Sequence, residues 1–200
     1  DLPPLAGSAD ALALARLGTG ARLRVAIAAS PLEAQRLLEE AKWFAPTLKA
    51  HLLPDWETLP YDNFSPHQDL ISERLATLYA VTQGDCELLI VAASTALARI
   101  APPSFLAGHT FFVRKGDTLH LDRLREQLTV AGYAHVTQVV AAGEYSVRGG
   151  LVDLFPMGTQ LPYRIELFDD TVETIRVFDV DSQRTLYPVP EIRLLPAREF

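Results

Sequence analysis

The sequence predicts a two-part α/β protein, and three observations carry that prediction. The first half alternates short apolar runs with capped helical segments, a grammar that belongs to a parallel sheet covered by helices. The pattern breaks around Pro102, Pro103 and Gly108. Beyond the break one amphipathic helix is followed only by strand-like segments, the order of an α+β domain with an antiparallel sheet. Residues 1–108 are therefore expected to form an incomplete parallel α/β domain, and residues 109–200 a smaller α+β domain. With 48% hydrophobic residues in a chain of 200, each part can bury a core.

The elements follow in order. Leu23 to Ala29 (LRVAIAA) is short and unbroken, which predicts a strand buried on both faces. Ser30 is placed to cap a helix with Pro31 at its first position and Glu33 completing a capping box, before Leu37, Leu38 and Ala41 recur at helical spacing. Ser65, Pro66 and Gln68 repeat that grammar ahead of Ile71, Leu75, Leu78 and Tyr79, and the run Leu88 to Ala93 completes a β-α-β-α-β pattern. In the second half, Thr110 to Arg114 reads as a strand, followed by a Gly-Asp turn. Leu121, Leu124 and Leu128 then share one helical face before Gly132. Val136 to Val140, Tyr145 to Phe155, Tyr163 to Phe168 and Val172 to Phe178 read as strands of an antiparallel meander on that helix, with Gly149-Gly150 bending the second.

Composition narrows the function. The formal net charge is −7, with 8 basic against 12 acidic residues in 1–108 and 10 against 13 in 109–200. Neither half carries the basic footprint of phosphate-dominated DNA binding, so partner proteins are the better expectation. No window approaches the roughly 18 apolar residues of a membrane span. The start at Asp1 lacks both a methionine and a basic flank, which suggests a fragment of a non-exported, cytoplasmic protein. Cys86 stands alone in an apolar strand and reads as a buried structural thiol, and five scattered histidines imply no metal. The nearest candidate for a phosphate loop, Leu5 to Asp10, has one glycine and no lysine, and no lysine occurs before Lys42. Asp169-Asp170 reads as a turn, and Asp55, Glu57 and Asp62 as loop and capping groups. No catalytic residue, cofactor or metal is expected.

One strand face does invite a partner. Tyr163, Ile165 and Leu167 suit a core, which places Arg164, Glu166 and Phe168 on the opposite face, an aromatic beside an arginine where solvent is expected. A three-residue loop through Thr171 is the preferred hairpin, because it keeps Ile175 and Val177 on the core face. It also sets Arg176 and Thr174 on the outer face and Arg176 opposite Arg164, a pair that needs an acidic neighbour or partner. Arg148 alternates with Tyr145 and Val147 on the preceding strand. Arg184 is open to either a structural ion pair or a partner contact.

The segment LPDWETLPYDNFSPHQDLISERLATLY (53–79) resembles a signature of the bacterial transcription-repair coupling factors, specifically their N-terminal UvrB-homology region. GEYSVRGGLVDLFP (143–156) and LPYRIELFDDTVETIRVFDVDSQRT (161–185) resemble both that family and UvrB. The resemblance implies that the first domain is a degenerate, RecA-like helicase domain without a nucleotide site. It also implies that Arg148, Arg164 and Phe168 bind UvrA; Glu166 and Arg176, from the outer strand face, and Arg184 are further candidates. In the full-length family, other domains bind RNA polymerase and drive an ATP-dependent DNA translocase. Two alternatives stand beside this reading. A nucleotide-hydrolysing helicase fragment is opposed by the missing lysine, and a UvrB-type damage-recognition fragment by the acidic charge and the absence of a tyrosine-rich hairpin.

Overall fold

The computed structural model describes residues 5–17, 23–56 and 67–199. It divides into two compact units, residues 1–66 with 77–100 and residues 67–76 with 101–200. The proposed cap at Ser65 and Pro66, and Glu57 and Asp62, lie outside the described residues.

In the first unit the order is α1 (Ala9–Arg16), β1 (Arg24–Ala28), α2 (Pro31–Phe44), β2 (Ala50–Leu53), α3 (Gln68–Thr82), β3 (Leu88–Ala92) and α4 (Ala93–Ala96), with α3 passing between the units at residues 76 and 77. The three strands are parallel in the order β1-β3-β2. β2 supplies the middle strand that the β-α-β-α-β pattern requires. β3 is central, and Leu88 and Ile90 are fully buried against Ala34, Leu37 and Ala41 of α2. The helix begins as its sequence demands: the Glu33 amide donates to Ser30 Oγ at 3.2 Å, and the Ala29 amide donates to Glu33 Oε2 at 3.0 Å. β1 departs from expectation. It is an edge strand, and Val25 and Ile27 are 54% and 66% exposed, so only one of its faces is covered by the described residues. An apolar run reads alike whether one or two faces are covered, because periodicity cannot report what lies on the second. Cys86 is buried, and burial pushes its thiol up to about 11.

The second unit takes the first turns of α3 and then α5 (Pro103–His109), β4 (Phe111–Arg114), α6 (Leu121–Val130), β5 (Ala134–His135), β6 (Glu144–Arg148), β7 (Leu151–Leu154), β8 (Tyr163–Phe168), β9 (Thr171–Phe178), β10 (Thr185–Pro188) and β11 (Glu191–Leu194). Pro102 and Pro103 do not only break the chain, since Pro103 opens the short α5 at the position that needs no amide. Six strands form one sheet in the order β10-β9-β8-β7-β6-β5, antiparallel except for the β5–β6 pair, while β4 and β11 form a separate antiparallel pair. Leu124 and Leu128 of α6 are buried, as are Tyr145, Val152, Leu154, Ile165, Ile175 and Val177 from alternate positions of the sheet. Gly132 follows α6 with φ +90°, the left-handed residue that ends it.

Three strand expectations are corrected. Beyond the two residues of β5, Val136 to Val140 is irregular. Tyr145 to Phe155 is two strands, not one, because Gly149-Gly150 closes a hairpin with Arg148 paired to Leu151. Gly149 sits at φ +59°, and a Cβ on Gly150 would lie 2.9 Å from the Leu167 carbonyl oxygen, so this turn needs both glycines. In the β8–β9 hairpin the loop has two residues, with Phe168 paired to Thr171 and Asp169 at φ +52°. The core parity expected of a three-residue loop is kept by another device. A bulge shifts the register so that Leu167 pairs with Val172 and Glu166 with Thr174, returning Ile175 and Val177 to the core.

Candidate protein-binding face

Period-two alternation carries Ser146 and Arg148 of β6, Leu151 and Asp153 of β7, Arg164, Glu166 and Phe168 of β8, and Thr174 and Arg176 of β9 to the face opposite that core. Asp153 stands opposite Ser146 on one side and Arg164 on the other. Its carboxylate is only 2% exposed and is the acceptor around which the face is organised. Arg164 donates to it twice, from Nε at 2.7 Å and Nη2 at 2.9 Å, and Arg148 donates from Nη2 at 2.6 Å. The fork geometry and the burial make these charge-assisted bonds strong ones.

Arg164 is held at every guanidinium nitrogen. Its Nη1 donates to the Gln183 carbonyl at 3.0 Å, and its guanidinium lies 4.7 Å from the centre of the buried Phe178 ring. The Asp153 hydrogen bonds raise its pKa further above the ordinary arginine value. With a side chain 15% exposed, Arg164 is a structural cation more than a free one. Arg148 is 55% exposed. Two guanidinium groups share one carboxylate, so one positive charge is left over, and exposure places it on Arg148. A cavity of about 500 Å³ opens beside it, lined by Thr137, Gln138, Arg148, Leu151, Arg164 and Gln183.

Phe168, at the hairpin end, is 71% exposed. The hairpin tip is held from below: the Leu119 amide donates to the Asp170 carbonyl at 2.6 Å, Thr118 bridges Thr171, and His120 Nδ1 lies 2.8 Å from Asp170 Oδ2. The ring is thus presented on an anchored turn. Glu166 accepts from Thr174 Oγ1 at 2.8 Å. Arg176 faces Arg164 across the ladder, and both Arg176 and Arg184 are exposed with no ion pair among the described residues. The acidic neighbour that the facing arginines require is Asp153, which the sequence reading did not single out. Its one signal was a charged residue inside the apolar strand Leu151-Val152-Asp153-Leu154, at the parity of Arg148 and Arg164.

A buried carboxylate with one arginine locked and one exposed shares a sheet face with an exposed aromatic. The sequence profile of the family described as the UvrB interaction domain matches residues 111–200, which hold all of these groups. The chain is 53% identical over 176 residues, 88% of its length, to the transcription-repair-coupling factor of Escherichia coli K12, and 50% identical over 149 residues, 74% of its length, to that of Haemophilus influenzae. The protein of the same name from Bacillus subtilis is 34% identical over 133 residues, 66% of the chain. The chain belongs to the transcription-repair coupling factor family, and spans 15%, 13% and 11% of the length of these three relatives.

Proposed function

We propose that this chain recruits UvrA in transcription-coupled nucleotide-excision repair, and that the Arg148, Arg164 and Phe168 face of residues 109–200 is the docking surface, with Glu166, Arg176 and Arg184 at its margin. The carrying observation is that an exposed aromatic and a cation presented from a buried carboxylate share one sheet face, within the segment that matches a UvrB interaction domain. Aromatic and arginine side chains are the types in which interface binding energy concentrates. Titration of purified UvrA against the chain tests the reading. Saturable binding that Phe168→Ala and Arg148→Ala both weaken supports it, and native affinity in both variants refutes it.

Residues 1–108 act, in this reading, as a degenerate RecA-like domain without enzymatic activity. A phosphate loop needs free amides at a strand-to-helix turn. After β1 that turn is Ser30-Pro31, Pro31 has no amide, and the Ala29 and Glu33 amides are taken by the Glu33 carboxylate and the Ser30 hydroxyl. In the first turn of α1, Asp10 is paired with Arg36 at 2.6 Å, which holds its carboxyl below the usual range and leaves a negative charge where a phosphate would have to sit. Saturable micromolar ATP binding in calorimetry would contradict this. An ATP-dependent translocase and contacts with RNA polymerase and DNA belong to further domains of a longer cytoplasmic protein. Among the described residues no helix is long and apolar enough to cross a membrane.

A further inference from the structure

We infer that Asp153 is a positioning residue for partner recognition, and that Arg164 acts through it and not by touching UvrA: together they hold the Arg148 guanidinium at the mouth of the cavity as a pre-aimed receptor for one partner carboxylate. The inference rests on the UvrA-binding reading and deepens it.

Every nitrogen of the Arg164 guanidinium already donates within the chain, Nε and Nη2 to Asp153 and Nη1 to Gln183. Its side chain is 15% exposed and its flat face is covered by Phe178. Its two remaining Nη hydrogens sit on a side chain that offers a partner little surface. Arg148 spends only Nη2, on Asp153 Oδ2, and is otherwise exposed, so its remaining donors point to solvent. Asp153 Oδ2 is the shared atom, taking Arg164 Nη2 at 2.9 Å and Arg148 Nη2 at 2.6 Å.

That sharing fixes the Arg148 fork. An arginine side chain loses rotamer freedom when it is immobilised, and here part of that loss is taken on folding and not on binding, which is preorganisation. Asp153 itself is 2% exposed and cannot meet a partner. Charge decides the ligand class: two cations on one buried anion leave a single positive charge at a cavity lined otherwise by Thr137, Gln138, Leu151 and Gln183, none of them charged. One acidic side chain of the partner satisfies that site, and a second would find no cation of its own there.

Five variants of the chain, measured for UvrA affinity and melting temperature, test this. Asp153→Asn keeps the side-chain shape but replaces one shared acceptor oxygen by a donor, and should weaken UvrA binding about tenfold in a folded chain. In an Arg148→Ala background the same change should cause no further loss, since nothing is left to aim. A merely structural role would instead lower affinity equally in both backgrounds, and that result would overturn the inference. Native affinity of Asp153→Asn, with Arg148→Ala weakened, also overturns it while leaving the UvrA reading intact. Native affinity of both Arg148→Ala and Phe168→Ala overturns the UvrA reading itself. Should Asp153→Asn fail to fold, the exposed Arg148→Lys decides: a lysine keeps the charge but not the planar fork. A loss close to that of Arg148→Ala supports a positioned guanidinium, and native affinity refutes it.

Discussion

Two arginine–carboxylate centres in the second unit are built from the same chemistry and differ in one respect. Arg74 of α3 donates from Nε to Glu199 at 2.5 Å, and both side chains are sealed, 0% and 1% exposed. Around Asp153 the carboxylate is equally buried, but its arginines grade outward, from 15% exposed at Arg164 to 55% at Arg148. A sealed pair offers nothing to a partner, and its removal is felt by the fold. A graded cluster uses the same buried anion to hold a cation at the surface. The difference separates stability from recognition, and it can be tested residue by residue.

The largest effect should come from Arg74→Ala. It strands the buried Glu199 carboxylate, and breaking a buried pair from one side costs about 3–5 kcal/mol. Urea denaturation should show the loss in the unfolding midpoint, while UvrA affinity of the fraction still folded stays native. A midpoint within experimental scatter of the parent would mean that the sealed centre is not structural.

Arg164→Ala should come next and should move both readouts. Asp153 keeps Arg148 but loses its bidentate partner, and Phe178 loses the group above it, so stability should fall by about 2–3 kcal/mol. UvrA affinity should fall as well, through the lost positioning. If affinity falls and the midpoint does not move, Arg164 is a free contact residue and the two arginines are not graded in role.

Phe168→Ala should reverse the pattern of Arg74→Ala. A side chain 71% exposed contributes little to the free fold, so the midpoint should move by less than about 0.5 kcal/mol. UvrA affinity should fall by about tenfold or more, equivalent to about 1.4 kcal/mol. A stability loss of about 3–5 kcal/mol would mark it as a core residue instead.

How much of this could be read from the sequence depends on the range of the interaction. The α2 cap at Ser30 and Glu33, the face of α6 and the parity of Arg148, Arg164 and Phe168 are local, set by periods of 3.6 and 2, and all were legible. The β8–β9 register was legible in its consequence but not in its device. A three-residue loop and a two-residue loop with a bulge put Ile175 on the same face, and alternation alone does not distinguish them. What was lost was non-local. Asp153 gains its meaning from strands on either side, β10 and β11 are short and paired through tertiary contacts, and the open face of β1 depends on what covers it. Residues 136–140 show the converse, a run with three valines that is irregular in the structure.

The smallest effect should belong to Arg176→Gln, and it sharpens where the recognition face ends. Arg176 lies opposite Arg164, and like charges so placed repel, although Asp153 offsets most of the Arg164 charge. Removing the Arg176 charge should therefore leave the midpoint unchanged or raise it by about 0.2–0.5 kcal/mol. For binding, distance decides. Arg148 is on β6 and Arg176 on β9, three strand spacings apart in the sheet order, or about 14 Å at roughly 4.8 Å per strand. That exceeds the Debye length of about 8 Å at physiological salt, so a partner carboxylate seated at Arg148 should scarcely sense Arg176. UvrA affinity measured at about 0.15 M salt should change by less than about threefold, with a somewhat larger change at low salt as screening weakens. A loss as large as that of Arg148→Ala would carry the contact surface across four strands. The partner would then need a second acidic group, and Arg176 would count as a principal contact instead of a bystander.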